Sequence, residues 1–170
     1  MKKITLLAIL AIAAFSNNAN AQSTADANAT VSATIIAPIA ITKTVDLNFG
    51  NIATDGTAAT VQLLADGSRI ESAGATLPGG NSTVKAAEFK VTGEGAYAFT
   101  VTLPADDTIT ITNGTSTNDM KVNKFTSNST GKLVSGKETF SVGATLNING
   151  SQPTGTYTND SGFDVIVSYN

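Results

Sequence analysis

Apolar residues at every second position recur along this chain, and in its body the longest clean case runs through Phe140, Val142, Ala144, Leu146 and Ile148. Successive side chains of a strand point to opposite faces, so this pattern buries one face of an extended ribbon. A helix would instead need apolar residues three and four apart, and no such stripe occurs. The alternation predicts strands over Ala59–Leu64, Val84–Val91, Tyr97–Leu103, Thr108–Thr112, Lys121–Phe125, Thr139–Ile148 and Phe163–Tyr169. Between them stand Asp66-Gly67, Pro78-Gly79-Gly80, Gly93-Glu94-Gly95, Asn113-Gly114, Asn149-Gly150 and Asp160-Ser161-Gly162, whose residues suit the left-handed positions of tight turns. Ala87, Phe89 and Val91 share one face, as do Tyr97, Phe99, Val101 and Leu103, so Gly93–Gly95 joins two core-facing strands. Composition agrees: 26 of the 170 residues are threonine and only 14% are charged. β-Branched side chains fit a pleated surface and lose rotamer freedom in a helix. The expectation is an all-β antiparallel sandwich with Leu47, Phe49, Phe89, Val91, Phe99, Val101, Phe140, Val142, Leu146, Val165 and Val167 inside.

The two ends read differently from the body. Lys2 and Lys3, the apolar run Ile4–Phe15 and the Ala19-Asn20-Ala21 site have the form of an export signal over 1–21, which would leave Gln22 as the first residue. Twelve apolar residues cover about 18 Å as a helix, too short for a hydrocarbon core of about 30 Å. No cysteine follows the run, so lipid attachment is not expected. The expected destination is the periplasm, the cell surface or the medium, with no membrane span in the mature chain. Loss of Lys2 and Lys3 takes the net charge from −3 to −5, which does not suit a nucleic-acid partner.

From Ala25 the apolar residues hold odd numbers through Ala27, Ala29, Val31, Ala33, Ile35 and Ala37, then Ile39 and Ile41, and after Lys43 again at Val45, Leu47 and Phe49. One strand of five or six residues does not need so long a register. Pro38 is the expected break, because it lacks a ladder donor. Residues 22–37 therefore read as an extended arm or a first strand, and 38–170 as a single sandwich domain. At the other end Phe163, Val165, Val167 and Tyr169 alternate up to the penultimate residue. Whatever lies beside that last strand has to be the N-terminal segment, another molecule, or an open edge.

Little in the chain can do chemistry. Without histidine or cysteine, a histidine-based triad, a thiol nucleophile and a Cys/His zinc site are excluded. Ser82-Thr83-Val84-Lys85 and Ser129-Thr130-Gly131-Lys132 have the S-x-x-K spacing, but that mechanism needs both side chains on one helical face. Asp106-Asp107 is a turn doublet with too few oxygens for calcium. The sequons at Asn28, Asn81, Asn113 and Asn128 read as polar turns. No catalytic, metal or cofactor residue is assigned, and no cofactor is expected.

The run Ala33–Thr44 followed by Leu47-Asn48-Phe49-Gly50-Asn51-Ile52, with Ala87–Gly93, Phe140–Leu146, Gly155–Thr158 and Phe163–Asn170, resembles a secreted bacterial family known as domain of unknown function 4402. The resemblance covers nearly all of the mature chain, and the family has no settled activity. Its outline is similar to that of spore-coat-U-type and chaperone-usher pilin subunits, in which an incomplete immunoglobulin-like sandwich is completed by a neighbour's arm, a form of β-augmentation. The resemblance implies Ala27, Ala29, Val31, Ala33 and Ile35 as donor-strand side chains. It also implies Phe163, Val165, Val167 and Tyr169 as the strand a periplasmic chaperone would grip. The chain departs from those pilins in having no cysteine pair, and in placing Gly155 one residue before the position where they often carry glycine. The functional expectation is a non-enzymatic secreted or cell-surface subunit, fimbria-like or coat-like. Its partners would be further copies or related subunits, with a periplasmic chaperone and usher. The alternative is a monomeric secreted sandwich that binds a glycan or protein ligand, although a chain with seven Phe, three Tyr and no Trp has few aromatics to spare for it.

Overall fold

The computed structural model describes residues 24–79, 83–114 and 119–170, and everything ordered within them is strand, turn or irregular backbone. The expected export signal, the Gln22 terminus and Ser82 lie outside the described residues. No helix of the described residues is long and apolar enough to cross a membrane. The chain divides into two units, residues 1–35 and Ile36–Asn170. In the first, the described residues form no strand.

The second unit holds eleven strands among its described residues: β1 (Ala40–Val45), β2 (Ala53–Thr54), β3 (Ala59–Leu63), β4 (Arg69–Glu71), β5 (Ala75–Thr76), β6 (Ala87–Thr92), β7 (Phe99–Thr102), β8 (Ile109–Ile111), β9 (Met120–Ser127), β10 (Lys137–Ile148) and β11 (Ile166–Tyr169). All seven predicted strands are present, with ends shifted by up to three residues. The antiparallel all-β sandwich read from the alternation is the observed architecture. β1, β2, β4 and β5 were not individually predicted. They are short and lie mostly exposed, so tertiary pairing rather than a buried stripe defines them.

Strand β10 organises the larger sheet. Val142 pairs with Ala87 of β6 and with Ser127 of β9, while Leu146 pairs with Val61 of β3 and with Val122 of β9. Therefore β6 and β3 follow one another along one edge of β10, and β9 lies along the other. β1 extends the sheet beyond β6, β4 beyond β3, and β8 beyond β9, all antiparallel. Gly143 sits at the changeover, where any Cβ would overlap the Leu63 carbonyl oxygen. On the β9 side the register slips between Gly143 and Thr145, and Lys124 takes a positive φ of 51°. The Asp106-Asp107 doublet caps this bulge: Lys124 N–H donates to Asp106 Oδ1 at 2.7 Å, and Asn123 Nδ2 donates to Asp107 Oδ1 at 2.9 Å.

The facing layer is smaller. β11 pairs with β7, and the segment around Leu133 adds to β7 through Leu133 N–H to Tyr97 O at 3.0 Å and Phe99 N–H to Gly131 O at 2.9 Å. Its inward side chains Phe99, Leu133 and Val165 pack on Phe89, Val91, Phe140 and Val142. Phe89 stacks on Phe140 at 5.8 Å between ring centres, and Phe163 lies 5.0 Å from Phe125. Seven of the eleven predicted core residues are buried. The other four are half-buried: Val101 and Val167 at the margin of this smaller layer, Leu47 and Phe49 in the irregular segment beyond it. The Gly93–Gly95 turn carries the chain from β6 in one layer to β7 in the other.

Candidate functional site

The smaller layer covers only one half of the larger sheet. Over the other half, where Val61, Met120, Val122, Leu146 and Ile148 are buried, the packing partners are half-buried side chains of irregular segments: Leu47, Phe49 and Ile52 on one side, Tyr157 on the other. Between those segments lies a cleft of about 1230 Å³. Its floor is the inward face of β6, β8, β9 and β10, from Phe89 through Phe125 and Ile111 to Ile148, and its two rims are residues 46–54 and 152–163.

Each rim is fastened to a different strand. Asn48 exchanges two backbone hydrogen bonds with Lys85, at 2.8 and 3.0 Å. Arg69, the chain's sole arginine, donates from one guanidinium nitrogen to the carbonyls of Phe49 (2.7 Å) and Asn51 (2.9 Å). The second rim is held to the end of β8, where Thr112 and Thr158 exchange two backbone bonds at 2.9 Å. Tyr157 Oη accepts from Asn113 Nδ2 at 3.2 Å and donates to Pro153 O at 2.8 Å. Among the described residues no backbone hydrogen bond joins 46–54 to 152–163. The cleft thus has an apolar floor between two rims that share no backbone hydrogen bond. A smaller polar depression of about 550 Å³ flanks the second rim, lined by hydroxyls and amides such as Thr110, Thr112 and Ser161.

The candidate donor residues Ala27, Ala29, Val31, Ala33 and Ile35 are all exposed, Val31 at 95% and Ile35 at 97%, and none belongs to a strand. In the C-terminal candidate set Val165 is buried while Phe163, Val167 and Tyr169 are half-buried, all packed into the core beside Phe99 and Leu133. Phe163 also lines the cleft. The Tyr169 hydroxyl accepts from Glu94 N–H at 2.7 Å and donates to Ala37 O at 3.1 Å, and Ala37 N–H reaches Glu94 Oε2 at 3.4 Å. It therefore joins β11, the β6–β7 turn and the first residues of the domain at one point. The close approach needs Gly93, where a Cβ would strike the Tyr169 hydroxyl.

Sequence reasoning did not single out Arg69 or Tyr157. The lone arginine beside an Asp-Gly turn was a signal for the first, and the Gly155–Thr158 run, which contains Tyr157, for the second. Lys43 and Asp46, which pair with each other, line the cleft's edge. The carboxyls held below their ordinary 3.8 are turn residues: Asp55 by the Thr57 hydroxyl and then its amide, and Asp66 by the Ser68 hydroxyl and then its amide. Ser129 Oγ of the second S-x-x-K match donates to Glu138 Oε2 at 2.9 Å, a loop-fastening contact. Among the described residues no three His, Cys, Asp or Glu side chains gather as a metal site.

One family model, described as "Domain of unknown function (DUF4402)", matches residues 39–169. No curated protein and no solved structure matches the chain.

Proposed function

The chain belongs to the DUF4402 family of domains of unknown function, so its role has to be read from the cleft and the arm, and we propose a non-enzymatic secreted or cell-surface structural subunit that assembles by β-strand complementation. The observation that carries this reading is the cleft: an apolar floor between two rims whose backbones are not paired to each other. An extended segment laid there would bury apolar side chains at about 25 cal/mol per Å² and supply ladder partners to the rims. The exposed, alternating segment 25–35 has the pattern such an occupant needs. Similarity in outline to pilin and spore-coat subunits, with the export signal expected at 1–21, supports a fimbria-like or coat role. A periplasmic chaperone would then hold the Phe163–Tyr169 strand before assembly.

The test uses the full secreted chain carrying Val31→Asp and Ile35→Asp, which disables its own arm while leaving the cleft intact. A synthetic peptide of residues 24–37 should bind saturably, shift the NMR signals of Ile111, Phe125 and Leu146, and raise the melting temperature. The same peptide with both aspartates should not bind, because a buried unpaired charge costs several kcal/mol. If the native peptide leaves those signals unmoved, strand complementation is wrong and the monomeric binding module takes its place.

A further inference from the structure

We infer that Asn113-Gly114 is a self-modifying site, at which the Asn113 side-chain amide is lost through a cyclic imide and the second rim of the cleft loosens as the molecule ages, whatever that cleft holds. The sequence contains two Asn-Gly pairs, Asn113-Gly114 and Asn149-Gly150. In each, glycine has no Cβ to keep its backbone nitrogen away from the preceding side-chain carbonyl carbon, so the dipeptide alone ranks them equally. The fold separates them. Gly114 is exposed in the bend after β8 with a φ of 91°, and a Cβ built there would meet nothing within 4 Å. Asn113 and Gly114 both line the polar depression of about 550 Å³, so water reaches them. Two hydrogen bonds of this pair are long, Gly114 N–H to Thr112 Oγ1 and Asn113 Nδ2 to Tyr157 Oη, each at 3.2 Å. Gly150 instead lies against another loop: the Gly56 oxygen is 3.6 Å and the Ala58 nitrogen 3.7 Å from where its Cβ would be. The next residue, Ser151, donates its N–H to Gly56 O at 2.8 Å, and Asn149 Nδ2 donates to Asp119 O at 2.8 Å. Closing a ring at that pair has to disturb all of these contacts.

In the reaction the Gly114 backbone nitrogen attacks Asn113 Cγ. The new C–N bond forms as the Cγ–Nδ2 bond breaks, and Nδ2 departs as ammonia carrying the Gly114 N–H proton. Water then adds to one of the two imide carbonyl carbons, its hydroxyl staying on carbon and its proton going to the Gly114 nitrogen. Opening at Cγ leaves aspartate, opening at the backbone carbonyl leaves isoaspartate, and nothing is oxidised or reduced. Either product replaces an amide that donates with a carboxylate that only accepts. Tyr157 Oη has a single proton, given to Pro153 O at 2.8 Å while the oxygen accepts from Asn113 Nδ2. Facing a carboxylate, it keeps Pro153 and loses residue 113, or turns to the carboxylate and releases Pro153. One tie of the rim is lost either way. Isoaspartate also lengthens the backbone beside Thr112, whose paired hydrogen bonds with Thr158 at 2.9 Å hold the same rim. Conversion at Asn149 acts elsewhere, at Asp119 O beside β9.

The test incubates the full secreted chain at mildly alkaline pH in heavy-oxygen water, returns it to ordinary water and digests it for mass spectrometry. Peptides containing residue 113 should show the amide-to-acid change, as both aspartate and isoaspartate with heavy oxygen incorporated, severalfold faster than peptides containing residue 149. In urea, where the fold no longer distinguishes the two pairs, the rates should converge. Conversion of Asn149 first, or a preference for Asn113 that survives in urea, would overturn the ranking by the fold. Aspartate without isoaspartate would overturn the imide route. Asn113→Asp installs one product from the outset, and the Thr158 amide should then exchange with solvent severalfold faster than in the parent chain or in Asn149→Asp. Aged protein separated by charge should show the same change. If Thr158 keeps the parent rate in both, the modification leaves the rim untouched and its link to the cleft fails.

Discussion

The hydroxyl of Tyr169 sits where three segments distant in sequence meet, and removing it isolates its contribution. Tyr169→Phe keeps the ring against Tyr97, whose centre is 5.8 Å away, but leaves Glu94 N–H and Ala37 O without their partner. The expected loss is about 1 kcal/mol, read by chemical denaturation, together with faster hydrogen exchange at the Glu94 amide. At Gly143 the obstacle is backbone: alanine there would press on the Leu63 carbonyl, which cannot rotate away, so Gly143→Ala should destabilise by about 1–3 kcal/mol. At Asp66 the folded state favours the charged carboxyl through Ser68, so its pKa is lower folded than unfolded. The resulting stability is present above pH 3.8 and is lost as pH falls through the depressed value. Ser68→Ala should move the Asp66 titration, followed by NMR, upward toward 3.8. The parity of Tyr169 was legible in the sequence. Its hydrogen-bond partners were not, because they depend on how separate segments converge.

Among the elements, β3, β6, β9 and β10, which have a buried alternating face, were readable, whereas the two- and three-residue strands β2, β4 and β5, without a buried residue, were not. β6, β9 and β10 each bury every second residue over at least part of their length, and each was predicted. β4 has no buried residue, yet it carries the guanidinium that fastens one rim of the cleft. Arg69→Ala should cost about 1–2 kcal/mol, since hydrogen bonds to a charged donor are among the stronger ones. It should also accelerate amide exchange over 49–52 and weaken binding of the 24–37 peptide. The rims themselves could not be foreseen as rims: Leu47, Phe49 and Ile52 look like any core-facing run, and only the absence of a covering strand turns them into an edge. The Asp106-Asp107 doublet was legible as turn chemistry, but the β9 bulge it caps was not, because Lys124 has none of the glycine or asparagine signature of a left-handed residue.

For the whole molecule, the alternation specified two layers but not their unequal size. Nine of the eleven predicted core residues belong to the cluster of the covered half or to its margin, and that half was the easier to read. The uncovered half became visible only once β7 and β11 were seen to pair with each other and stop. β10 is the strand that spans both halves, bonded to β6 along its first part and to β3 along its second. In a linear assembly this has a mechanical meaning. Tension would enter at Ala37 and leave through a segment lodged over Leu146 and Ile148, so the force would run lengthwise along β1, β6 and β10. A ladder loaded along its strands shares the stress among all its hydrogen bonds at once, whereas one pulled at its end opens them singly. The subunit would therefore resist stretching through its longest strand, and the first parts to yield under load would be the short ties at the ends, at Tyr169 and at Arg69.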